Sequence, residues 1–151
     1  MAQNAKTADP RRGVRMFFRI GVVLIAFNLF LGVEIHNGDA MNPTLRDGQL
    51  IFLKKERYSL NRGVPKPNEI VVIKQGVFPN STEGKPIRRV AGLPGETVII
   101  GDKAVELAPD EVFVAGDNAA AEAAAGRIKL GDIRGRALVV LWPLSDIGGV
   151  R

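Results

Sequence analysis

The chain contains no cysteine, one histidine, one tryptophan and one tyrosine. The lack of cysteine excludes disulfides, thiol catalysis and thiolate zinc sites. With His36 the sole histidine, a multi-histidine metal centre is excluded, and a Ser-His-Asp triad requires His36 itself to serve. No metal and no cofactor is expected. Aromatic residues make up 6% and do not interleave with basic ones, so a base-stacking surface for nucleic acid is not expected. The formal net charge is +5, but Lys6, Arg11, Arg12, Arg15 and Arg19 gather ahead of an apolar run. That placement fits membrane topology better than nucleic acid.

The apolar run covers residues 17–33, FFRIGVVLIAFNLFLGV, broken only by Arg19 and Asn28. It sits at the lower length limit for a spanning helix. Arg19 lies near one end, where its guanidinium can reach the headgroups. Asn28 lies mid-span and needs a partner helix or its own backbone as hydrogen-bond partner. The chain of 151 residues then divides into a basic, disordered cytoplasmic tail (1–15), a transmembrane anchor (16–35) and one extracytoplasmic domain (36–151). The positive-inside rule orients the N-terminus to the cytoplasm and the body to the outer side of the cell membrane, with a single pass. A cleaved secretory signal peptide competes, with Gly38-Asp39-Ala40 as a small-x-small cleavage site. A buried core helix fits poorly, because the run has no polar face.

Beyond the anchor, short apolar stretches alternate with turn signals. Strands are expected at 50–53, 69–74, 87–91, 97–100, 103–107, 111–115 and 136–142. Gly101-Asp102 reads as a hairpin turn. Residues 58–68 and 76–86 read as loops, because they carry Gly, Pro, Asn, Ser and Thr. The expected fold class is mostly β: an antiparallel β body behind one N-terminal transmembrane helix. The run Ala119-Ala-Ala-Glu-Ala-Ala-Ala125 favours a helical turn or two.

Four segments carry motifs. The first is Gly38-Asp39-Ala40-Met41-Asn42-Pro43-Thr44-Leu45, directly behind the anchor. The second is Asn68-Glu69-Ile70-Val71-Val72. The third is Arg88-Arg89-Val90-Ala91-Gly92-Leu93-Pro94-Gly95-Glu96. The fourth is Val114-Ala115-Gly116-Asp117-Asn118, followed by residues 126–135 and Trp142-Pro143. In this order the segments resemble the GDSMxPTL, GDIVV, KRVxGLPGD and GDN boxes of bacterial type I signal peptidases, and the resemblance covers residues 16–143. It implies an antiparallel β body with an apolar face near the membrane and an extended substrate groove. It also implies a serine nucleophile paired with a neutral lysine as general base.

At the nucleophile position this chain has Ala40, and at the general-base position Arg88. A methyl group cannot attack a carbonyl. An arginine stays protonated, whereas a buried lysine can lose its proton near neutral pH. The Ser-x-Asp-Ser-Arg stretch that follows the family's GDN box is replaced by the shorter alanine-rich run, whose one polar side chain is Glu122. Glu122 is expected to be a solvated residue, with an ion pair to Arg88 as the alternative.

Ser59, Ser81 and Ser145 lie outside the boxes and read as solvated. Thr44 matches the family's own non-nucleophilic threonine. His36 reads as an interfacial histidine with no catalytic task, and Asp39 and Asp117 as turn residues capping backbone N–H groups. Gly38, Asp39, Met41, Pro43, Arg89, Gly116, Asp117 and Asn118 are the expected groove and framework positions. An engineered Ser→Ala trap would leave the base and loop intact, so a natural degenerate homologue fits better.

Three functions follow. One is a catalytically inactive signal-peptidase-like membrane protein that still binds signal peptides, preproteins or other extended chains. The second is an active signal or pilin-type serine endopeptidase with an unrecognised nucleophile. The third is a structural partner of an active peptidase or secretion component, with Asn28 as a helix contact.

Overall fold

The computed structural model describes residues 10–59, 61–78, 85–118 and 125–150. It opens on helix α1 (Pro10–Phe30), of which residues 13–30 are long and apolar enough to cross a membrane. At 1.5 Å per residue those 18 residues reach about 27 Å, close to the hydrocarbon thickness of a bilayer. None of that stretch is buried within the protein. In the last turn of the helix, the Asn28 side chain donates to the Leu24 carbonyl one turn back (3.0 Å), so its polar amide has a partner inside the helix.

The helix begins earlier and ends sooner than the apolar run suggests. Residues 10–15, expected as part of a disordered tail, are helical. Residues 31–35, expected within the anchor, form strand β1 (Leu31–Ile35). Their partner is β2 (Leu50–Lys55), with Leu31 opposite Lys54 and Ile35 opposite Leu50. A run of apolar residues satisfies a strand as well as a helix, and here the ladder to β2 decides the outcome.

The remaining strands are β3 (Ile70–Ile73), β4 (Ile87–Gly92), β5 (Thr97–Ile100), β6 (Lys103–Glu106), β7 (Glu111–Ala115), β8 (Gly126–Lys129), β9 (Ile133–Trp142) and β10 (Gly148–Gly149). Eight of them form one antiparallel sheet in the order β1-β2-β9-β3-β4-β7-β8, with β10 also on β9. Strands β5 and β6 form a separate hairpin around Gly101-Asp102, as the turn signal predicts. Strands β1, β8 and β10 had no sequence signal strong enough to be expected, and β9 starts three residues before the expected Arg136.

Strand β3 explains why the sheet needs two cores. All four of its residues are buried. Ile70 and Val72 join Met41, Leu45, Ile51, Leu53, Ile87, Ala137 and Val140 in one cluster. Val71 and Ile73 join Tyr58, Val90, Val112, Val114, Ile128, Leu130 and Ile133 in the other. Alternation along a strand sends neighbours to opposite faces, so an unbroken apolar run reads as a strand covered on both sides.

Two glycines mark close approaches. A Cβ on Gly135 would run into the backbone of Lys54, across the β2–β9 pairing. A Cβ on Gly92 would meet Val98 Cγ1 at 2.5 Å and Leu107 Cδ1 at 3.2 Å, where the β5–β6 hairpin folds back onto the end of β4.

Candidate functional site

Four separated segments of the chain converge on one ion pair. Arg89 in β4 lies opposite Ala115 in β7, so its side chain stands beside the loop that follows β7. Its Nε donates to Asp117 Oδ1 (2.8 Å) and its Nη2 to Oδ2 (2.7 Å). This is the two-pronged geometry that suits a guanidinium and a carboxylate. The third nitrogen, Nη1, donates to the Asn68 carbonyl at 3.0 Å. Thr44 adds a side-chain hydrogen bond to Asp117. One residue on, Asn118 donates its backbone N–H to the Ala40 carbonyl (3.0 Å) and its amide nitrogen to the Asp39 carbonyl (3.1 Å). Polar contacts thus join the segments 38–45, 68–72, 88–96 and 114–118, beside the strand ladders and core packing they share.

Electrostatics follow from that geometry. The hydrogen bond from Arg89 is the main cause holding the Asp117 carboxyl below its ordinary range. Partial burial opposes it, and Thr44 and the guanidinium charge add to it. The same hydrogen bond pushes Arg89 further up. Asp117 was expected to cap backbone N–H groups. Instead it is the anionic half of a charge-assisted pair, which a turn motif alone does not reveal.

Ala40 and Arg88, the positions of altered chemistry, are both buried. Ala40 is buried (4% accessible) beside fully buried Met41, which packs in the first core. Asn42–Pro43 is a cis peptide. Arg88 is 2% accessible, with Nη1 donating to the Ile87 carbonyl (2.7 Å) and its guanidinium carbon 5.9 Å from the centre of the Phe78 ring. That is within reach of a cation–π attraction. Arg88 pairs across the ladder with Val71 and Arg89 with Ile70, and those two partners belong to different cores. The neighbouring arginines therefore serve opposite faces of β4. Ala40 offers no lone pair, and Arg88 offers no site for a proton.

Other expected residues resolve differently. His36 is buried (1% accessible), not interfacial: its N–H donates to Gln49 O and its carbonyl accepts from Gly48, both at 2.8 Å. Asp39 contributes its carbonyl to the frame. The carboxylate that meets a backbone N–H nearby is Asp47, 2.7 Å from the Gly38 nitrogen. Gly116 links β7 to Asp117. Ser59 bridges to Gly63, and Ser145 donates to Asp146 (3.0 Å). Ser81, Glu122 and residues 119–124 of the alanine-rich run lie outside the described residues. No cluster of three metal-ligating side chains occurs among the described residues. Sequence reasoning missed Asn68 as an acceptor for Arg89 and Phe78 as a neighbour of Arg88. Phe78 falls in a segment read as loop, and a lone aromatic there carries no periodic signal.

An antiparallel sheet behind an apolar helix, with the motif segments joined at one ion pair, is the arrangement that a signal-peptidase-type protein calls for. The sequence profile described as "Signal peptidase, peptidase S26" matches residues 11–108, and the chain belongs to that family. Relatives include mitochondrial inner membrane protease subunit 1 of Homo sapiens, 30% identical over 83% of this chain and 78% of that protein. Another is mitochondrial ATP-independent inner membrane protease subunit 1b of Arabidopsis thaliana, 33% identical over 74% of this chain and 70% of that protein. Both relatives are named for a mitochondrial membrane, whereas the motifs had pointed to bacterial enzymes. The similarity therefore establishes the family and not a bacterial branch of it.

Proposed function

We propose that this protein is a catalytically inactive member of the S26 family that retains the family's chain-binding frame. The observation that carries this reading is the contrast between an intact framework and altered chemical positions. Arg89, Asp117, Asn118 and Thr44 form one connected set of polar contacts. Ala40 and Arg88 stand where the family's pattern has a serine and a lysine. Loss of both the nucleophile and the base leaves only the weak residual acceleration that binding and polar stabilisation give.

The ligand class is an extended peptide such as a signal peptide or preprotein segment, added to a sheet edge through backbone hydrogen bonds that need no dyad. Strands β1 and β8 each have one partner among the described residues and end the sheet. Incubation of the purified full chain with a preprotein tests the reading: binding without cleavage is expected. Cleavage after a small residue by the unmodified chain, lost on mutation near Ala40, refutes it.

The reading includes a topology. Residues 1–15 lie in the cytoplasm, α1 carries the single pass, and the β domain is extracytoplasmic at the cell membrane. Arg11, Arg12 and Arg15 in the first two turns of α1, with Arg19 one turn further on, support this orientation. Since the chain has no cysteine, Ser145→Cys supplies one exposed thiol. A membrane-impermeant maleimide should label it in intact cells, and labelling only after lysis reverses the orientation.

A second reading has its own support. The relatives are named as subunits of a protease, so this chain can serve as a partner of an active peptidase. Co-purification of an S26-type peptidase with the full chain from membranes distinguishes it. An active enzyme with another nucleophile draws no support from Ser59 or Ser145, whose hydrogen bonds among the described residues go to Arg62, Gly63 and Asp146 and to no amine or imidazole.

A further inference from the structure

A cavity outside the ion-pair frame lies where α1 meets the β domain. It is open, of about 1020 Å³, with the exposed side chains of Leu29 and Phe30 on one wall. The other walls bring together five cations, Lys55, Arg57, Arg62, Lys74 and Arg134, against one carboxylate, Glu56. The lining therefore carries 5 − 1 = +4.

Glu56 is already engaged, accepting from Lys54 (2.5 Å) and from the Tyr58 hydroxyl (2.7 Å). Arg134 is paired with Glu34 (2.8 Å). Lys55 and Lys74 donate only to backbone carbonyls, of Asn28 (2.5 Å) and Gly131 (2.6 Å). Arg57 and Arg62 are exposed and have no carboxylate partner among the described residues. Such a concentration of like charge raises its own electrostatic energy unless an anion is present.

The position of the cavity names the anion. Phe30 is the last residue of the apolar stretch, so with α1 across a bilayer the cavity opens at headgroup depth. One wall is apolar and the facing walls are cationic, which matches an amphiphile with an acyl chain and a negatively charged head. A soluble anion would use only the cationic wall. The helix is held against this end of the domain by the Phe27–Phe52 ring contact (5.9 Å) and by Lys55 on the Asn28 carbonyl in the helix's last turn. The two walls therefore hold their relation.

We propose that this cavity is a binding site for the headgroup of an anionic phospholipid, held chiefly by Arg57 and Arg62 with its first methylenes against Leu29 and Phe30. Bidentate guanidinium–phosphate contacts supply the recognition. The site seats the β domain against one leaflet and is independent of Ala40 and Arg88.

The full chain in a neutral detergent is titrated with short-chain phosphatidylglycerol, short-chain phosphatidylcholine and inorganic phosphate, read by thermal shift and by native mass spectrometry. Phosphatidylglycerol is expected to bind at least tenfold more tightly than either of the others. The Arg57→Gln/Arg62→Gln variant is expected to lose about tenfold of that affinity. Lys103→Gln, which removes an exposed charge on the β5–β6 hairpin, is expected to lose none. Both arginines are exposed, and an unchanged far-UV spectrum verifies that the double variant is folded. Three outcomes overturn the proposal: equal binding of the two lipids, equal loss in the Lys103 variant, or inorganic phosphate binding as well as phosphatidylglycerol. The last would make the cavity a free-anion site.

Discussion

Arg88 and Arg89 are adjacent in β4, yet the fold treats them as different substances. Arg89 is partly solvated and locked in a two-pronged pair with Asp117, and that pair ties four boxes together. Arg88 is buried, with one nitrogen on a neighbouring carbonyl and its plane near the Phe78 ring. Both positions are basic in the family's pattern, and residue type alone does not separate them. The difference lies in what each side chain touches: Arg89 is held by a carboxylate, whereas Arg88 meets a backbone carbonyl and an aromatic ring. A frame tolerates loss of chemistry, because its hydrogen bonds do not pass through the reacting atoms.

The largest expected effect comes from restoring the chemical side of that contrast. Ala40→Ser together with Arg88→Lys should raise cleavage of a preprotein by on the order of 10³-fold over the unmodified chain, with each single change at background. A hydrolysis assay with mass-spectrometric mapping of the cut site measures it. Activity in the unmodified chain would erase the contrast.

Next is the frame itself. Arg89→Met should destabilise by about 2 kcal/mol, since it strands a carboxylate that is largely shielded from water. Arg88→Met should cost at least about 1 kcal/mol, since the hydrogen bond to the Ile87 carbonyl and the Phe78 ring contact are among the interactions it gives up. Urea denaturation of the two variants side by side gives the ratio, and equal costs would mean that both arginines are structural.

The pH dependence sharpens the same point. The folded Asp117 carboxyl titrates below its unfolded value, chiefly through the hydrogen bond from Arg89. Its contribution to stability is therefore present above the ordinary carboxylate range and is lost as pH falls through the lowered folded value. Asp117→Asn should be less stable at neutral pH and should show a shallower loss of Tm toward acid. A parallel acid profile in the variant would show that other carboxylates dominate. Smallest is Thr44→Val, which removes one hydroxyl hydrogen bond to Asp117 and should cost about 1 kcal/mol in the same urea experiment.

Much of the body was legible before any coordinates. The strands at 70–73, 87–92 and 111–115 are short β-branched runs between turn residues, and they fold within a residue or two of where pattern puts them. The hairpin around Gly101-Asp102 follows from its turn. Residues 31–35 and 126–129 were not legible as strands. The first continues an apolar helix without a break in composition, and the second, Gly-Arg-Ile-Lys, has one apolar residue. Each becomes a strand because an edge was open beside it, at β2 and at β7.

Sequence by itself determined the family, the missing hydroxyl and amine at positions 40 and 88, and the presence of an apolar helix, because residue identity and local periodicity are properties of the chain. Tertiary structure alone decided that Asp117 pairs with Arg89, that His36 is buried, and that five cations meet beside Phe30. Those facts depend on which residues distant in the chain become neighbours in space, and only the pairing and packing of the strands set that.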